Sequence, residues 1–154
     1  MRIRRRCSEV AKFSVNGIDS LAADLKRLGQ LDNVELVSDM LEAGAEIVTD
    51  EWKKGIATAV KSKTDGGRST GDMADSVAPT KGIKKSGDIS AKEIYPQGKD
   101  RKGVRNAEKA FILHYGKSGQ APTRFVDAVE EAAEDKAVSA MENVFNNYLE
   151  KEGF

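Results

Sequence analysis

Two long runs of apolar residues, recurring every three or four positions, leave this chain few folds to choose from. In the first, Val34, Val37, Met40, Leu41, Gly44, Ile47, Val48, Trp52, Ile56 and Ala59 fall on one side of a helix. Asp32 stands three residues before Glu35, the spacing at which an N-cap carboxylate and a first-turn glutamate satisfy backbone donors reciprocally. A helix of about 28 residues follows, roughly 40 Å long at 1.5 Å per residue. In the second run, from Thr123, the stripe is Phe125, Val129, Ala132, Ala133, Ala137, Ala140, Met141, Val144 and Tyr148. Its middle is alanine, and small side chains let helices approach closely, so the two stripes are expected to face one another. Gly44 and Gly55 each cost about 1 kcal/mol of helix propensity relative to alanine, which points to close approach of another backbone. Trp52, on the first stripe, reads as core or oligomer contact.

The remaining elements are shorter. Arg2, Arg4, Arg5 and Arg6 make residues 1–9 a flexible basic arm, and residues 10–154 are read as a single domain. Val10 to Val15 fits a short strand broken by Asn16-Gly17. Ile18, Leu21, Ala22, Leu25 and Leu28 fit a short helix stopped by Gly29. Lys61 to Arg68 is a polar loop. Thr70-Gly71-Asp72 lacks the Gly-Lys-Ser/Thr ending of a phosphate loop and reads as a helical turn capped by Ser69 or Thr70. Val77 to Ile83 and Ile89 to Tyr95 flank the turn signal Lys85-Ser86-Gly87-Asp88, which predicts a β-hairpin, with Pro79 on an edge. Pro96 to Asn106 is almost all turn formers and charges, and its length favours a functional or disordered loop. Asn106 can cap a short helix carrying Ala110, Phe111 and Leu113, although Phe111 to Tyr115 fits a strand equally well.

The segment from Ala110 to Ala128, AFILHYGKSGQAPTRFVDA, joins these parts. Gly116 lets the chain turn, Pro122 is pre-set for a turn or a first helical turn, and Phe125 is expected to fold back toward Phe111 and Tyr115. His114-Tyr115-Gly116-Lys117, Ala121-Pro122, Phe125 and Ala128, together with Ser69-Thr70-Gly71-Asp72-Met73-Ala74-Asp75-Ser76-Val77 upstream, resemble a pattern in small tail-component proteins of long-tailed bacteriophages. The resemblance covers roughly residues 15 to 145. It departs from the pattern where no acidic residue precedes Gly116 and where Lys117 replaces threonine. It implies a structural protein of the head–tail junction, a head–tail connector acting in tail completion or neck assembly. The implied place is the virion, reached through the bacterial host cytoplasm, with copies of itself and neighbouring head-completion or tail-tube proteins as partners.

Charge is balanced overall, with 25 basic and 25 acidic residues, but unevenly spread. From Asp19 to Glu51 there are nine acidic residues against Lys26 and Arg27, and from Asp127 onward eight against two lysines. Lys61 to Arg105 holds eleven basic residues against six acidic. Ordinary solvated surface is one reading. The other is that one copy's basic middle meets another copy's acidic helices, a head-to-tail contact that closes into a ring. No apolar run reaches the roughly 20 residues needed to span a bilayer, and the first residues lack a signal peptide's apolar stretch. Cys7 is the one cysteine and His114 the one histidine, so neither a disulfide nor a zinc site is expected.

These readings converge on an α+β domain: two long helices packed against a small antiparallel sheet, with a mobile basic loop and an N-terminal arm. No catalytic residue, metal or cofactor is expected, and binding rather than turnover is. The expected interface groups are Lys99, Arg101, Lys102 and Arg105 in the basic loop, and Tyr115, Gly116 and Lys117 in the turn. The alternative is a nucleic-acid-binding module using the arm and basic middle; zero net charge and the lack of aromatics among those bases argue against it.

Overall fold

The computed structural model describes residues 26, 34–61, 70–87 and 89–153. The basic arm, the expected strand at 10–15, the expected helix at 18–28 apart from the helical Lys26, and the Asp32 cap lie outside the described residues, as does the loop at 62–69. Of the two units into which the chain divides, the one that holds the elements described below is Asn33–Phe154. Within it the α+β expectation holds.

Helix α1 (Val34–Lys61) and helix α4 (Phe125–Glu152), the longest elements, lie antiparallel along most of their lengths. The glycines explain the closeness of the pair. A Cβ placed on Gly44 would lie 2.0 Å from Met141 Cε, and one on Gly55 would lie 2.4 Å from Val129 Cγ2. The nearest partners are therefore side chains of α4, and its backbone comes to 3.9 Å of the Gly55 position at the Phe125 carbonyl oxygen. Ile56 and Ala59 of α1 pack with Phe125 and Val129 in a core that also holds Val77, Ala110 and Leu113. Trp52 meets Phe125 edge-on, with ring centroids 5.5 Å apart. Glu51 binds Lys136 across the pair and Lys54 within α1, each at 3.0 Å. Those ammonium groups, Lys136 first, hold the Glu51 carboxyl below its ordinary range.

After α1 comes one helical turn, α2 (Asp72–Asp75), entered through Gly71 at φ 78° rather than through a side-chain cap. Strands β1 (Val77–Pro79), β2 (Lys84–Ser86), β3 (Ile89–Ala91) and β4 (Ile94–Pro96) then form two antiparallel pairs. β1 pairs with β4 in the register Val77↔Pro96, and β2 with β3 in the register Lys84↔Ala91. The result is the expected hairpin, interrupted where residues 80–83 oppose only residues 92 and 93. Thr80 holds that bulge: its hydroxyl donates to the Gly82 carbonyl and accepts from the Glu93 N–H. The β1–β4 end of the hairpin rests on α1, and Lys92 beyond it pairs with Glu42 of α1. Pro96 is fully buried, and helix α3 (Asn106–Tyr115) follows, settling the helix-or-strand ambiguity.

Candidate interaction surface

The basic loop leaves β4 and closes on itself. Asp100 is its organising residue, a carboxylate accepting from the N–H groups of Lys102 at 2.9 Å and Val104 at 2.8 Å while pairing with Lys109 of α3. The Lys109 ammonium, followed by those N–H groups, holds the Asp100 carboxyl below the usual aspartate range. Lys99 and Arg105 form a backbone bridge at the neck of the turn, and the Asn106 N–H donates to Gly98. Asn106 does not cap α3. Its amide instead donates to the Gln97 carbonyl at 2.8 Å, and Gln97 in turn donates to the carbonyls of Ala78 and Pro79. The stretch expected as a mobile loop is thus a hydrogen-bonded turn tied to both β1 and α3. Lys99, Arg101, Lys102 and Arg105 all point into solvent, Arg101 lying 3.5 Å from Asp72.

The second group of expected residues sits at the other end of α3. A ten-residue helix spans about 15 Å, so the two groups flank one element. Gly116 has φ 80°, and a Cβ there would meet the Gln120 carbonyl oxygen at 2.5 Å and the Pro122 nitrogen at 2.9 Å. Gly116 therefore makes the turn possible, while Tyr115 and Lys117 are exposed beside it.

Phe125 does not fold back onto Phe111 and Tyr115. It turns the other way, against Trp52 and, 5.9 Å off, against His114. The reason lies in the wheel of α3: Ala110, Leu113 and His114 face the core, and Phe111 and Tyr115 fall on the far side. His114 is only 6% exposed. Its Nδ1 accepts the Val126 N–H at 3.3 Å, satisfying one of the donors that the start of α4 leaves open. Such an acceptor places the imidazole proton on Nε2, which lies 3.8 Å from Asp127 Oδ1. The end of α3 holds α4 further through Thr123 N–H and hydroxyl bonds to the Leu113 carbonyl and an Arg124 N–H bond to that of His114. These bonds fix Arg124 at φ 55°, a left-handed conformation costing roughly 1–2 kcal/mol.

Phe111 and Tyr115 are left 62% and 58% exposed, with ring centroids 4.6 Å apart and planes tilted by 48°, on successive turns. They border a hollow of about 190 Å³ that Tyr95, Ala107 and Val126 also line, with Trp52 and His114 at its base. Tyr95, Pro96 and Ala107 continue into a second groove that reaches Gly98, Lys99 and Arg105. The structure so joins the basic turn and the Tyr115 turn into one surface, with an aromatic middle. Tyr95 and Phe111 belong to that surface and were missed in the sequence, where Phe111 read as one of three apolar neighbours. The signal was present in the four-residue spacing of Phe111 and Tyr115, out of phase with Ala110, Leu113 and His114.

Residues 19–116, which include α1, the hairpin, the basic turn and α3, match the family model described as "Bacteriophage HK97-gp10, putative tail-component". The chain belongs to this family. The match ends at Gly116, so it takes in most of the surface described here and stops short of α4. Membership in the HK97-gp10-like family implies a phage tail component and a place in the virion. No curated protein and no solved structure matches the chain. Among the described residues no helix is long and apolar enough to cross a membrane, and no three His, Cys, Asp or Glu side chains group as a metal site.

Proposed function

We propose that this tail component works by binding, not turnover, as a ring of copies at the head–tail junction that completes the tail or builds the neck. The observation that carries this reading is the solvent-facing Phe111–Tyr115 pair, joined through Tyr95, Pro96 and Ala107 to the groove of the exposed Lys99 and Arg105. Aromatic side chains and arginine are enriched in the buried centres of protein interfaces, and a charged rim sets register and orientation. The uneven charge of the chain supports a head-to-tail contact, the kind that closes into rings. Neighbouring head-completion or tail-tube proteins would then dock on the assembled ring.

Light scattering coupled to size-exclusion chromatography tests the proposal. The expected result is a discrete multimer of about six or twelve copies that loosens as salt screens the charges. Replacing Lys99, Arg101, Lys102 and Arg105 together with alanine should impair assembly and leave the melting temperature nearly unchanged. The reading is falsified if the quadruple variant assembles like the wild type.

The outward direction of those four cations also keeps a nucleic-acid role in play. That reading predicts salt-sensitive DNA binding lost in the same quadruple variant. Asp72 and Asp100, paired with Arg101 and Lys109, place negative charge within the cluster and weigh against it.

A further inference from the structure

The outer face of α4 has the form that the aromatic hollow lacks. Val138 is 49% exposed on that face. Glu131, Glu134, Asp135 and Glu142, all exposed, stand seven, four and three residues before it and four after, so all four lie on its side of the helix. An apolar knob surrounded by carboxylates is the complement of an apolar hollow that runs, through Tyr95, Pro96 and Ala107, into a groove lined by Lys99 and Arg105. Among the described residues no carboxylate pairs with Lys99 or Arg105 and no cation pairs with those four acids. Both faces are therefore free to satisfy each other.

The geometry points to a specific contact: the outer face of α4 from one copy lies in the Tyr95–Phe111–Tyr115 hollow of the next, Val138 inserted and its carboxylates on Lys99, Arg105 and Lys117. This inference rests on the proposed self-assembly and names the two faces that make it. A helix laid in a groove presents anchors at intervals of three, four and seven residues, the spacing of Glu131, Glu134, Asp135 and Val138. The hollow, about 190 Å³, holds the liquid volume of roughly six waters, space enough for a branched aliphatic side chain. Because the two faces differ, each copy offers one of each, and the contact repeats from copy to copy. The other acidic helix is the weaker fit: on α1, Glu42 is paired with Lys92, and Glu51 with Lys54 and Lys136.

Charge exchange tests the pairing. One variant carries Lys99→Glu and Arg105→Glu; the other carries Glu131→Lys and Glu134→Lys. Each alone should dissociate at a concentration at least about tenfold higher than wild type, since like charges then face each other. Mixed in equal amounts they should recover the wild-type mass, because each reversed face then meets its complement on the other variant. Val138→Asp should weaken assembly with an unchanged circular dichroism spectrum. A wild-type multimer indifferent to both reversals, or folded variants that fail to recover on mixing, would overturn the choice of faces while self-assembly itself would stand. A wild type that stays monomeric at every concentration would overturn both.

Discussion

Trp52 and Phe125 on one side of α3, and Phe111 and Tyr115 on the other, are two aromatic pairs with opposite surroundings. The first is locked between the long helices, edge to face, with His114 behind it. The second lies tilted ring against ring in the open. A chain that packs one aromatic pair into its helix seam and exposes another at the rim of the hollow that Trp52 also lines is dividing labour: the seam between α1 and α4 holds the fold, and the outer wall of α3 is left for something else to cover. Breaking each in turn should separate stability from assembly.

The largest effect belongs to the seam. Phe125→Ala empties a buried site between Trp52, His114 and Val129 and should cost about 3–5 kcal/mol by chemical denaturation. Gly55→Val comes next, because even its Cβ has no room against Val129; overpacking of this kind costs about 1–3 kcal/mol. By contrast, Phe111→Ser with Tyr115→Ser should move stability by less than about 0.5 kcal/mol per substitution, as exposed positions do. If that double variant unfolded as readily as Phe125→Ala, the division between the two pairs would be wrong.

How far the sequence revealed this division depends on the periods involved. The long helices were legible because each stripe runs for about seven turns, so single exceptions such as the exposed Ala132 do not disturb it. The hairpin was legible in its turn and not in its register, since the bulge at residues 80–83 depends on a threonine hydroxyl that binds two backbone groups. The basic turn read as loose because its charges and glycines look alike in order or disorder; only the position of Asp100 under two N–H groups fixes it. Least legible was α3. Three consecutive apolar residues, Phe111, Ile112 and Leu113, do not say which one faces inward. His114 caps α4 from twelve residues away, beyond the reach of any local cap signal.

The smallest predicted effect concerns acid. Asp100 has its pKa lowered in the folded turn, so its stabilising contribution is fully present above the ordinary aspartate value of about 3.9. That contribution is lost as pH falls through the lowered folded value. The Lys102 and Val104 amides, followed by NMR, should hold constant shifts from pH 8 to 5 and move progressively below about pH 4. A transition near neutrality would mean that Asp100 is not what organises the turn.

The central claim is that the outer wall of α3 serves assembly while the α1–α4 seam serves folding. Light scattering on wild type and on the Phe111→Ser, Tyr115→Ser variant, at matched concentration and with melting curves on the same samples, tests it most directly. The account predicts a discrete multimer for wild type and a monomer for the variant, with melting temperatures within about two degrees. Equal masses for the two proteins would contradict it.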